Sequence, residues 1–508
     1  MHPRRVTDVV DAWQGLPVLV LGDVLLDEWW HGDSDRLCRE APVPVVSVGR
    51  TEYAPGGAAN AAVNIAALGG RPTLVAGVGD DEAGGMLCER LSEWGVDFRP
   101  VVAPGWRTPT KRRVVAGDQI VVRLDDERRV LPGGARRAVL AGAKAALSER
   151  PAAVTLCDYG YGTLDGPARR WLVARRPRLP VVTLDAHALG AWAELHPTLV
   201  TPSYEEALGL LGELAGDCTG DGAGAGSGDG AGNGSGDRAA AVEDRAAALL
   251  ERMGARAAAV TLDADGAVVV APGAEAVRTD GRRAPASHTV GAGDAYLAAL
   301  TLASAAGADL ADGARLAQLA AGAAITGPCT CVCGRDALLA ELALDPAARV
   351  CDPATLLERI ESERAGGARV VFTNGCFDVL HRGHVGLLQQ ARELGDLLVV
   401  AVNSDASVAR LKGADRPVNH VEDRTALLAA LTCVDYVVVF DDDSPAELIE
   451  RLRPDVYVKG GDYRPELLSE AALVQRLGGQ VRILEYVPDR STSAIIERIR
   501  SRRAGAAR

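Results

Sequence analysis

The segment 373–384, which reads TNGCFDVLHRGH, constrains the fold of this chain more than any other stretch. The apolar residues just before it, 370–372, indicate a buried parallel strand. Apolar positions at helical spacing after it predict a helix from about Gly383 to Leu394. The histidines would then lie where the carboxyl end of a strand turns into a helix. Open parallel sheets bind ligands in that crevice, so we expect an α/β domain with its site at this corner.

This corner has the features of a phosphate-binding site. A helix N-terminus offers unpaired amides and the positive end of the helix dipole, and Gly383 allows a phosphate to come close. His381 and His384 are nearly one helical turn apart, so both imidazoles can face one anion. The pattern indicates nucleotidyl transfer, which depends on positioning and electrostatics. The alternative is a pair of structural or helix-capping histidines.

The segment resembles the signature of the cytidylyltransferase-like nucleotidyltransferases. Further matches are AVNSD at 401–405, Arg424, VKGGDY at 458–463 and STS at 491–493. Over about 368–500 they resemble the adenylyltransferase half of the bifunctional heptose 7-phosphate kinase/heptose 1-phosphate adenylyltransferase family. The resemblance implies a Rossmann-like fold with His381, His384 and Lys459 as catalytic residues. It also implies nucleotide or phosphate contacts from Thr373, Asn374, Gly383, Asn403, Arg424, Ser491, Thr492 and Ser493.

Two of these contacts have a simpler alternative in the sequence. Arg424 could pair with a phosphate or form a surface salt bridge. Ser491 and Ser493 could cap a following helix, bind a phosphate, or do both.

Length and composition set outer bounds. The 508 residues suffice for two or three domains, and a net charge of −13 argues against a nucleic-acid-binding surface. No signal peptide and no apolar run long enough to span a bilayer is evident, so we expect a cytoplasmic protein without a membrane partner. Most of the ten cysteines should then be free thiols. The alternating Cys329, Cys331 and Cys333 do not match a metal-ligand spacing, and we predict packed residues and no metal site there.

The first 340 residues alternate between short apolar strands and helical stretches, which predicts a parallel α/β sheet. One strand ends in Gly22-Asp23, and Ala54–Asn60 is predicted to open a helix that ends at Leu68. Val43–Val48 and Val114–Leu124 predict two further strands, which could form a small β lid over a site.

A second phosphate motif lies at residues 291–294, with the sequence GAGD. Gly291, Ala292 and Gly293 would place bare amides at a helix N-terminus, where they form an anion hole for a transferring phosphoryl group. Asp294 could accept the proton of an attacking hydroxyl. The motif is weak on its own.

Together with Gly22-Asp23 and the GGAAN sequence at 56–60, this motif resembles the ribokinase-like sugar kinases over about residues 15–340. The resemblance implies Asp294 as the catalytic base, ATP as co-substrate and Mg²⁺ as cofactor. Glu206 would lie near the nucleotide phosphates. The sugar-facing residues would be Asp23, Gly56, Gly57 and Asn60.

Three positions depart from the family pattern. His288 stands where the family has an aspartate, Ser203 stands where it has an asparagine three residues before Glu206, and the family's Asp-Pro-Lys-Gly reads Asp185-Ala-His-Ala here. These losses favour an alternative in which the kinase-like domain is slowed, structural or regulatory.

We therefore expect a kinase domain over residues 1–345, with a disordered glycine-rich insertion at 216–238, a linker over 346–367 and a nucleotidyltransferase domain over 368–508. The lid suggests a homodimer formed through the kinase domain.

The two resemblances together imply an enzyme of ADP-heptose synthesis. It would phosphorylate O1 of heptose 7-phosphate and adenylylate heptose 1-phosphate, with a separate phosphatase acting between the two steps. The alternatives are a single-function sugar-phosphate nucleotidyltransferase, a transferase for another small phosphate such as glycerol 3-phosphate, and a binding protein without activity.

Overall fold

The computed structural model describes residues 6–126, 130–212, 237–325, 327, 329–460 and 470–484. The chain divides into two compact units, Met1–Leu342 and Ala343–Arg508. Each unit has its own sheet, with apolar clusters on both faces. The α/β fold expected from the sequence is confirmed.

The first unit contains two sheets. Its strands are β1 (Pro17–Gly22), β2 (Val24–Leu37), β3 (Pro44–Gly57), β4 (Arg71–Gly79), β5 (Asp97–Ala103), β6 (Thr110–Ala116), β7 (Gln119–Asp126), β8 (Ala153–Asp158), β9 (Val181–Ala186), β10 (Leu199–Val200), β11 (Ala258–Thr261), β12 (Ala267–Val270) and β13 (Val277–Thr279). The larger sheet has nine strands in the order β13-β12-β11-β10-β9-β8-β1-β4-β5. It is parallel from β11 to β5, and β12 and β13 extend it by antiparallel pairing.

Helices cover both faces of the larger sheet. They are α1 (Val6–Asp11), α2 (Ala58–Ala67), α3 (Glu82–Glu93), α4 (Gly133–Ser148), α5 (Gly166–Arg175), α6 (Tyr204–Leu211), α7 (Arg238–Asp244), α8 (Ala246–Met253), α9 (Ala292–Ala305), α10 (Leu310–Ala324) and α11 (Arg335–Leu344). The alanine-rich helices α2, α9 and α10 pack on one face and α4, α5 and α8 on the other. Strand β4 pairs with β1 on one side, and β8 pairs with β1 on the other. This switch point is where α/β sheets bind ligands.

The predicted lid is the second sheet, with strand order β3-β2-β6-β7. The stretch 114–124 was predicted as one strand but is a hairpin, because Gly117 takes a positive φ of 59° and turns the chain between β6 and β7. The predicted helix start at Ala54 is also wrong. Ala54–Gly57 complete the long strand β3, and α2 begins at Ala58.

The second unit is built on a six-stranded parallel sheet. Its strands are β14 (Val350–Cys351), β15 (Val370–Gly375), β16 (Leu397–Asn403), β17 (Tyr436–Phe440), β18 (Val456–Gly460) and β19 (Gln480–Leu484). Its helices are α12 (Pro353–Ala365), α13 (Arg382–Arg392), α14 (Asp405–Lys412), α15 (Val421–Ala429), α16 (Ala446–Leu452) and α17 (Ala471–Arg476). The strand order β14-β17-β16-β15-β18-β19 reverses direction beside β15, so the switch point lies between the ends of β15 and β18.

The linker predicted over 346–367 is wrong. Strand β14 pairs with β17, and Leu356 and Ile360 of α12 are buried in the core of the second unit. The stretch is folded because α12 has apolar residues on one face and a capped start, where Asp352 accepts hydrogen bonds from the amides of Ala354 and Thr355. The predicted insertion at 216–238 lies outside the described residues except at its end. There Asp237 caps α7, which begins at Arg238.

Candidate functional sites

The first site centres on Asp294, which lies in the first turn of α9. Gly291 caps this helix with a φ of 89°, and a Cβ there would lie 2.6 Å from the Asn60 amide nitrogen. A Cβ on Gly293 would meet nothing within 4 Å, so this amide borders open space. The structure thus brings Gly291, Ala292, Gly293 and Asp294 to one helix start, which suits an anion beside a base.

Burial raises the pKa of Asp294 to about 8, and the nearby carboxylates of Asp185 and Asp27 add to the rise. Asn60 opposes it by donating a hydrogen bond from Nδ2 to Asp294 Oδ2 at 2.7 Å. A general base is most effective when its pKa lies near the working pH. The buried side chain of Asn60, which was predicted to face the sugar, holds this base.

Asn60→Ala should move the kinase pH profile to higher pH. The substitution removes a hydrogen bond that lowers the pKa of Asp294, and the base must be ionised to accept a proton. The check is kcat/KM of the kinase reaction from about pH 6 to 10, which reports on the free enzyme. An unchanged midpoint would contradict this role for Asn60. The pH profile of the nucleotidyltransferase reaction is the internal control.

Asp23, predicted to face the sugar, is held by backbone amides beside the crevice. It is fully buried at the end of β1, and its carboxylate accepts hydrogen bonds from the amides of Tyr159, Tyr161 and Thr163, each at 3.0 Å. These amides belong to the loop after β8, on the other side of the switch point. Asp23 therefore joins the end of β1 to the loop after β8 at the crevice.

Gly56 and Gly57 are required by close packing beside the crevice. A Cβ on Gly56 would lie 2.3 Å from Leu25 and 2.9 Å from Asp27 Oδ2. Gly57 has a φ of 60°, and a Cβ there would meet the Tyr159 ring at 3.0 Å.

Asp27 is a buried carboxyl residue that was not among the predicted site residues. It is buried on β2, where Arg113 of β6 pairs with its Oδ1 at 2.5 Å and the Thr330 hydroxyl donates to its Oδ2 at 2.9 Å. This ion pair ties the lid sheet to the edge of the site.

Glu206 contacts two of the residues that depart from the family pattern, Ser203 and His187. Ser203 and Glu206 form a capping box at the start of α6, and His187 Nδ1 lies 2.8 Å from Glu206 Oε1. Ser203 and His187 therefore hold the Glu206 carboxylate in place. His288 only ends a short turn, and its carbonyl accepts a hydrogen bond from the Cys331 thiol at 2.8 Å.

A hydrogen-bonded pair completes the first site. The Tyr159 hydroxyl donates to Asp185 Oδ2 at 2.6 Å, and burial raises the pKa of Asp185 to about 6. The pKa values of Asp294 and His187 are both raised, and the charge of Lys111 opposes each rise, so the lysine lies near both. The sequence held a signal for Lys111, because only four lysines occur in the chain.

The second site lies where β15 leads into α13. His381 is the N-cap of α13, and its Nδ1 accepts a hydrogen bond from the Gly383 amide at 3.1 Å. In the neutral ring the proton must then sit on Nε2, which makes this nitrogen the ring's donor. The rings of His381 and His384 are stacked, with their centroids 3.8 Å apart. The predicted pairing of two imidazoles at a helix start is present.

His384 is a neutral group in this setting. It is buried and packs edge-on against Phe377, with ring centroids 5.3 Å apart. Burial, together with the charges of His381 and Lys412, lowers its pKa to about 4. At neutral pH His384 therefore acts as a hydrogen-bonding group rather than a cation. Lys412, at the end of α14, is a further charge near the site.

Lys459 lies at the switch point of the second sheet. It is near the end of β18, and its Nζ donates to the Asn374 carbonyl at the end of β15, over 3.4 Å. Burial lowers its pKa. The Asn374 side chain accepts a hydrogen bond from the Tyr457 hydroxyl at 2.8 Å. Lys459 and Asn374 thus lie at the crevice as predicted.

Three of the predicted phosphate contacts have internal hydrogen-bond partners. The buried Thr373 hydroxyl donates to the Val458 carbonyl at 2.9 Å, and the buried Asn403 amide donates to the Ser407 hydroxyl at 3.0 Å. Arg424 is fully buried, and its guanidinium reaches the carbonyls of Asn419 and Cys376 at 3.1 and 2.5 Å and Asp405 Oδ1 at 2.7 Å. The predicted surface salt bridge is instead an ion pair between a buried guanidinium and Asp405, and the phosphate contact stays a prediction.

Arg424→Lys should destabilise the second unit by about 2–4 kcal/mol, since an ammonium cannot replace a guanidinium with three separated partners. All seven tryptophans lie between residues 13 and 192, so their fluorescence reports the first unit alone. In urea we expect an earlier transition by circular dichroism with an unchanged fluorescence midpoint. Arg410→Lys, at an exposed ion pair of α14, is the control and should shift neither by more than about 0.5 kcal/mol. Equal effects of the two substitutions would contradict the buried role.

The remaining predicted contacts, Ser491, Thr492 and Ser493, lie outside the described residues. Within the described ranges, none of the helices combines the length and apolarity needed to cross a bilayer.

The two units thus define a class of protein: a sugar kinase domain with a β lid, joined to a nucleotidyltransferase domain. Residues 18–129 and 185–336 match the pfkB family of carbohydrate kinases, and residues 372–498 match the cytidylyltransferase-like family. The phosphofructokinase-2 of Escherichia coli in complex with substrates and products has the fold of the first unit. Its structure matches with a TM-score of 0.51 and 21% identity over 65% of this chain and 98% of the other.

Relatives match the whole chain. The bifunctional protein HldE of Halorhodospira halophila is 41% identical over 98% of this chain and 100% of its own length. The bifunctional protein HldE of Pseudomonas aeruginosa is 39% identical over 96% of this chain and 98% of its own length. This chain belongs to the family of bifunctional HldE proteins, and it is an enzyme with a kinase and a nucleotidyltransferase domain.

Proposed function

We propose that this enzyme performs two steps of ADP-heptose synthesis. The first domain transfers the γ-phosphate of ATP to O1 of a heptose 7-phosphate. The second joins a heptose 1-phosphate to the adenylyl group of ATP and releases pyrophosphate. The observation that carries this proposal is the presence, in one chain, of two helix starts suited to phosphate, one with the base Asp294 and one with paired imidazoles.

In the kinase reaction Asp294 accepts the proton of the O1 hydroxyl as that oxygen attacks the γ-phosphorus. The amides of residues 291–293 and the start of α9 stabilise charge on the transferring group. Asn60 keeps the base in position and limits the rise of its pKa. Asp23 fixes the loop after β8, which forms one wall of the crevice.

The carboxylates beside this site fit Mg²⁺, which prefers oxygen ligands. The charge of Glu206 raises the pKa of Asp185, and the charge of Asp185 raises that of Asp294, so the three lie close together. Asp185 and Glu206 would hold the ion. When bound, it would neutralise charge on the ATP phosphates.

In the transferase reaction the phosphate of the acceptor attacks the α-phosphorus of ATP. His381 and His384 donate hydrogen bonds to phosphate oxygens at the start of α13, and Lys459 supplies positive charge at the end of β18. Arg424 acts at a distance by joining the loop after β15 to α14 and α15.

Synthetic substrates and each NTP, read by mass spectrometry, test both steps separately. Heptose 7-phosphate should give a bisphosphate, and heptose 1-phosphate should give ADP-heptose. A transferase with a structural kinase-like domain would give only the second product. Ser203 and His187 hold the Glu206 carboxylate in place, which argues against a purely structural kinase-like domain. A panel of small phosphate acceptors, including glycerol 3-phosphate, tests the choice of acceptor.

A homodimer through the lid sheet is part of the proposal. The lid exposes apolar side chains that a monomer would leave in water, namely Leu37, Val43, Val48, Val122 and Leu124. Light scattering on the eluted protein should give twice the chain mass of 52.9 kDa. Leu124→Glu should give the single mass, and a monomeric unsubstituted chain would contradict the proposal.

The proposed location is the cytoplasm. The nine cysteines found free in the described part of the chain suit a reducing compartment.

A further inference from the structure

Three side chains from distant parts of the first unit meet outside the kinase crevice. They are His31 of β2, Glu52 of β3 and Cys329, which follows α10. His31 Nε2 lies 3.7 Å from Glu52 Oε2 and 3.5 Å from Cys329 Sγ, and the Cys329 thiol contacts Glu52 Oε2 directly. Bond lengths of about 2.0–2.3 Å place the ligand atoms around a tetrahedral zinc ion about 3.3–3.7 Å apart. The two distances from His31 match this spacing, whereas Cys329 Sγ and Glu52 Oε2 are in direct contact and would move apart when an ion binds between them.

Pairing between β2 and β3 brings the first two side chains together. Trp29 lies directly opposite Glu52, and His31 is two residues further along the same strand. Because side chains alternate along a strand, Trp29, His31 and Glu52 share one face of the lid sheet. The Trp29 ring stacks on the His31 ring with an interplanar angle of 12°, and Arg50 pairs with the second oxygen of Glu52 at 2.9 Å. These contacts orient two of the three donors.

Cys329 differs from its neighbours. Cys331 and Cys333 are buried among apolar residues, as the sequence predicted, whereas Cys329 is half-buried with a φ of 104° and turns its thiol toward the lid. The sequence spacing of the cysteines could not indicate this site, because the other two donors lie almost 300 residues away.

We propose that His31, Glu52 and Cys329 bind a thiophilic divalent cation of the Zn²⁺ class, with three protein ligands and one position left for water. Imidazole, carboxylate and thiolate are all zinc ligands, and the thiol releases its proton to solvent as the sulfur–metal bond forms. The ion joins the lid sheet to the segment 329–331.

This segment also contacts the kinase site. The Thr330 hydroxyl accepts a hydrogen bond from Trp29 and donates one to Asp27, and the Cys331 amide donates to the Val290 carbonyl at 2.7 Å, next to Gly291. A metal ion at Cys329 therefore fixes the lid against the segment that supports the anion hole. The proposal predicts that the ion changes kinase turnover and leaves the transferase reaction unchanged.

Cobalt(II) titration of the metal-free full-length chain is the direct test. We expect one equivalent to produce a thiolate-to-cobalt charge-transfer band with the intense visible bands of a four-coordinate site, both abolished by one equivalent of zinc. Cys329→Ser should lose the charge-transfer band, and His31→Gln should weaken binding at least tenfold. Cys88→Ser, at a half-buried free cysteine of α3, is the matched control and should keep both signals.

The proposal is overturned if no charge-transfer band forms, or if the band survives in folded Cys329→Ser. A second measurement needs no variant. Zinc should slow alkylation of Cys329 in the unsubstituted chain at least tenfold, read by peptide mass spectrometry, and leave alkylation of Cys88 unchanged. Equal alkylation of Cys329 with and without zinc would also overturn the proposal.

Discussion

Asp294→Asn should lower kcat of the kinase reaction about 10²–10⁴-fold, the usual contribution of a general base. The substitution keeps the size of the side chain and removes its ability to accept a proton. Asn60 can still donate to the new amide oxygen, so α9 should keep its place. The measurement is steady-state turnover of heptose 7-phosphate with saturating ATP.

The same preparation contains its own control. Adenylyl transfer to heptose 1-phosphate should proceed at the unsubstituted rate, because the second unit has a separate core. Kinase turnover within threefold of the unsubstituted enzyme would show that Asp294 is not the base. Loss of both activities together would indicate misfolding instead, and circular dichroism would distinguish the two cases.

His384→Ala should lower the transferase rate about 10²–10³-fold, as expected when one preorganised donor to a developing charge is removed. His384 stacks on His381, so its loss also frees the neighbouring ring to turn. The pKa of about 4 means that the unsubstituted enzyme should show no loss of transferase activity from His384 titration near pH 6.5. The measurement is pyrophosphate release with heptose 1-phosphate and ATP.

His420→Ala is the matched control for this substitution. His420 is an exposed histidine of the same unit, and its side chain contacts only the rim carboxylate of Asp405 among the pairs found in the described residues. Removal of this side chain should leave the transferase rate within about twofold of that of the unsubstituted enzyme. If His384→Ala retained the full rate, the corner of β15 and α13 would not be the transferase site.

The sequence predicted the positions of both sites because short motifs there combine a glycine with a helix start, and in the second unit also with a preceding strand. Gly291–Asp294 and His381–His384 lie where the patterns indicated. The fold class also followed from the alternation of apolar strands and helices.

The sequence could not show which polar residues of a motif face the ligand. Asp23, Thr373 and Arg424 were predicted as ligand contacts, and the structure shows that they also hydrogen-bond to distant parts of their own unit. The partner Thr163 is 140 residues from Asp23, so local patterns do not reveal such contacts. For the same reason the sequence missed Asp27 with Arg113, whose pairing depends on the register of β2 and β6.

The most direct test of the central claim is a mixture of two variants. Asp294→Asn and His384→Ala should each fail to convert heptose 7-phosphate to ADP-heptose when ATP and a phosphatase for the 7-phosphate are supplied. Mixed in equal amounts, they should restore formation of ADP-heptose, because each variant keeps the site that the other has lost. Failure of the mixture, while each variant retains its own half-reaction on synthetic substrate, would contradict two independent phosphate-binding corners acting in sequence.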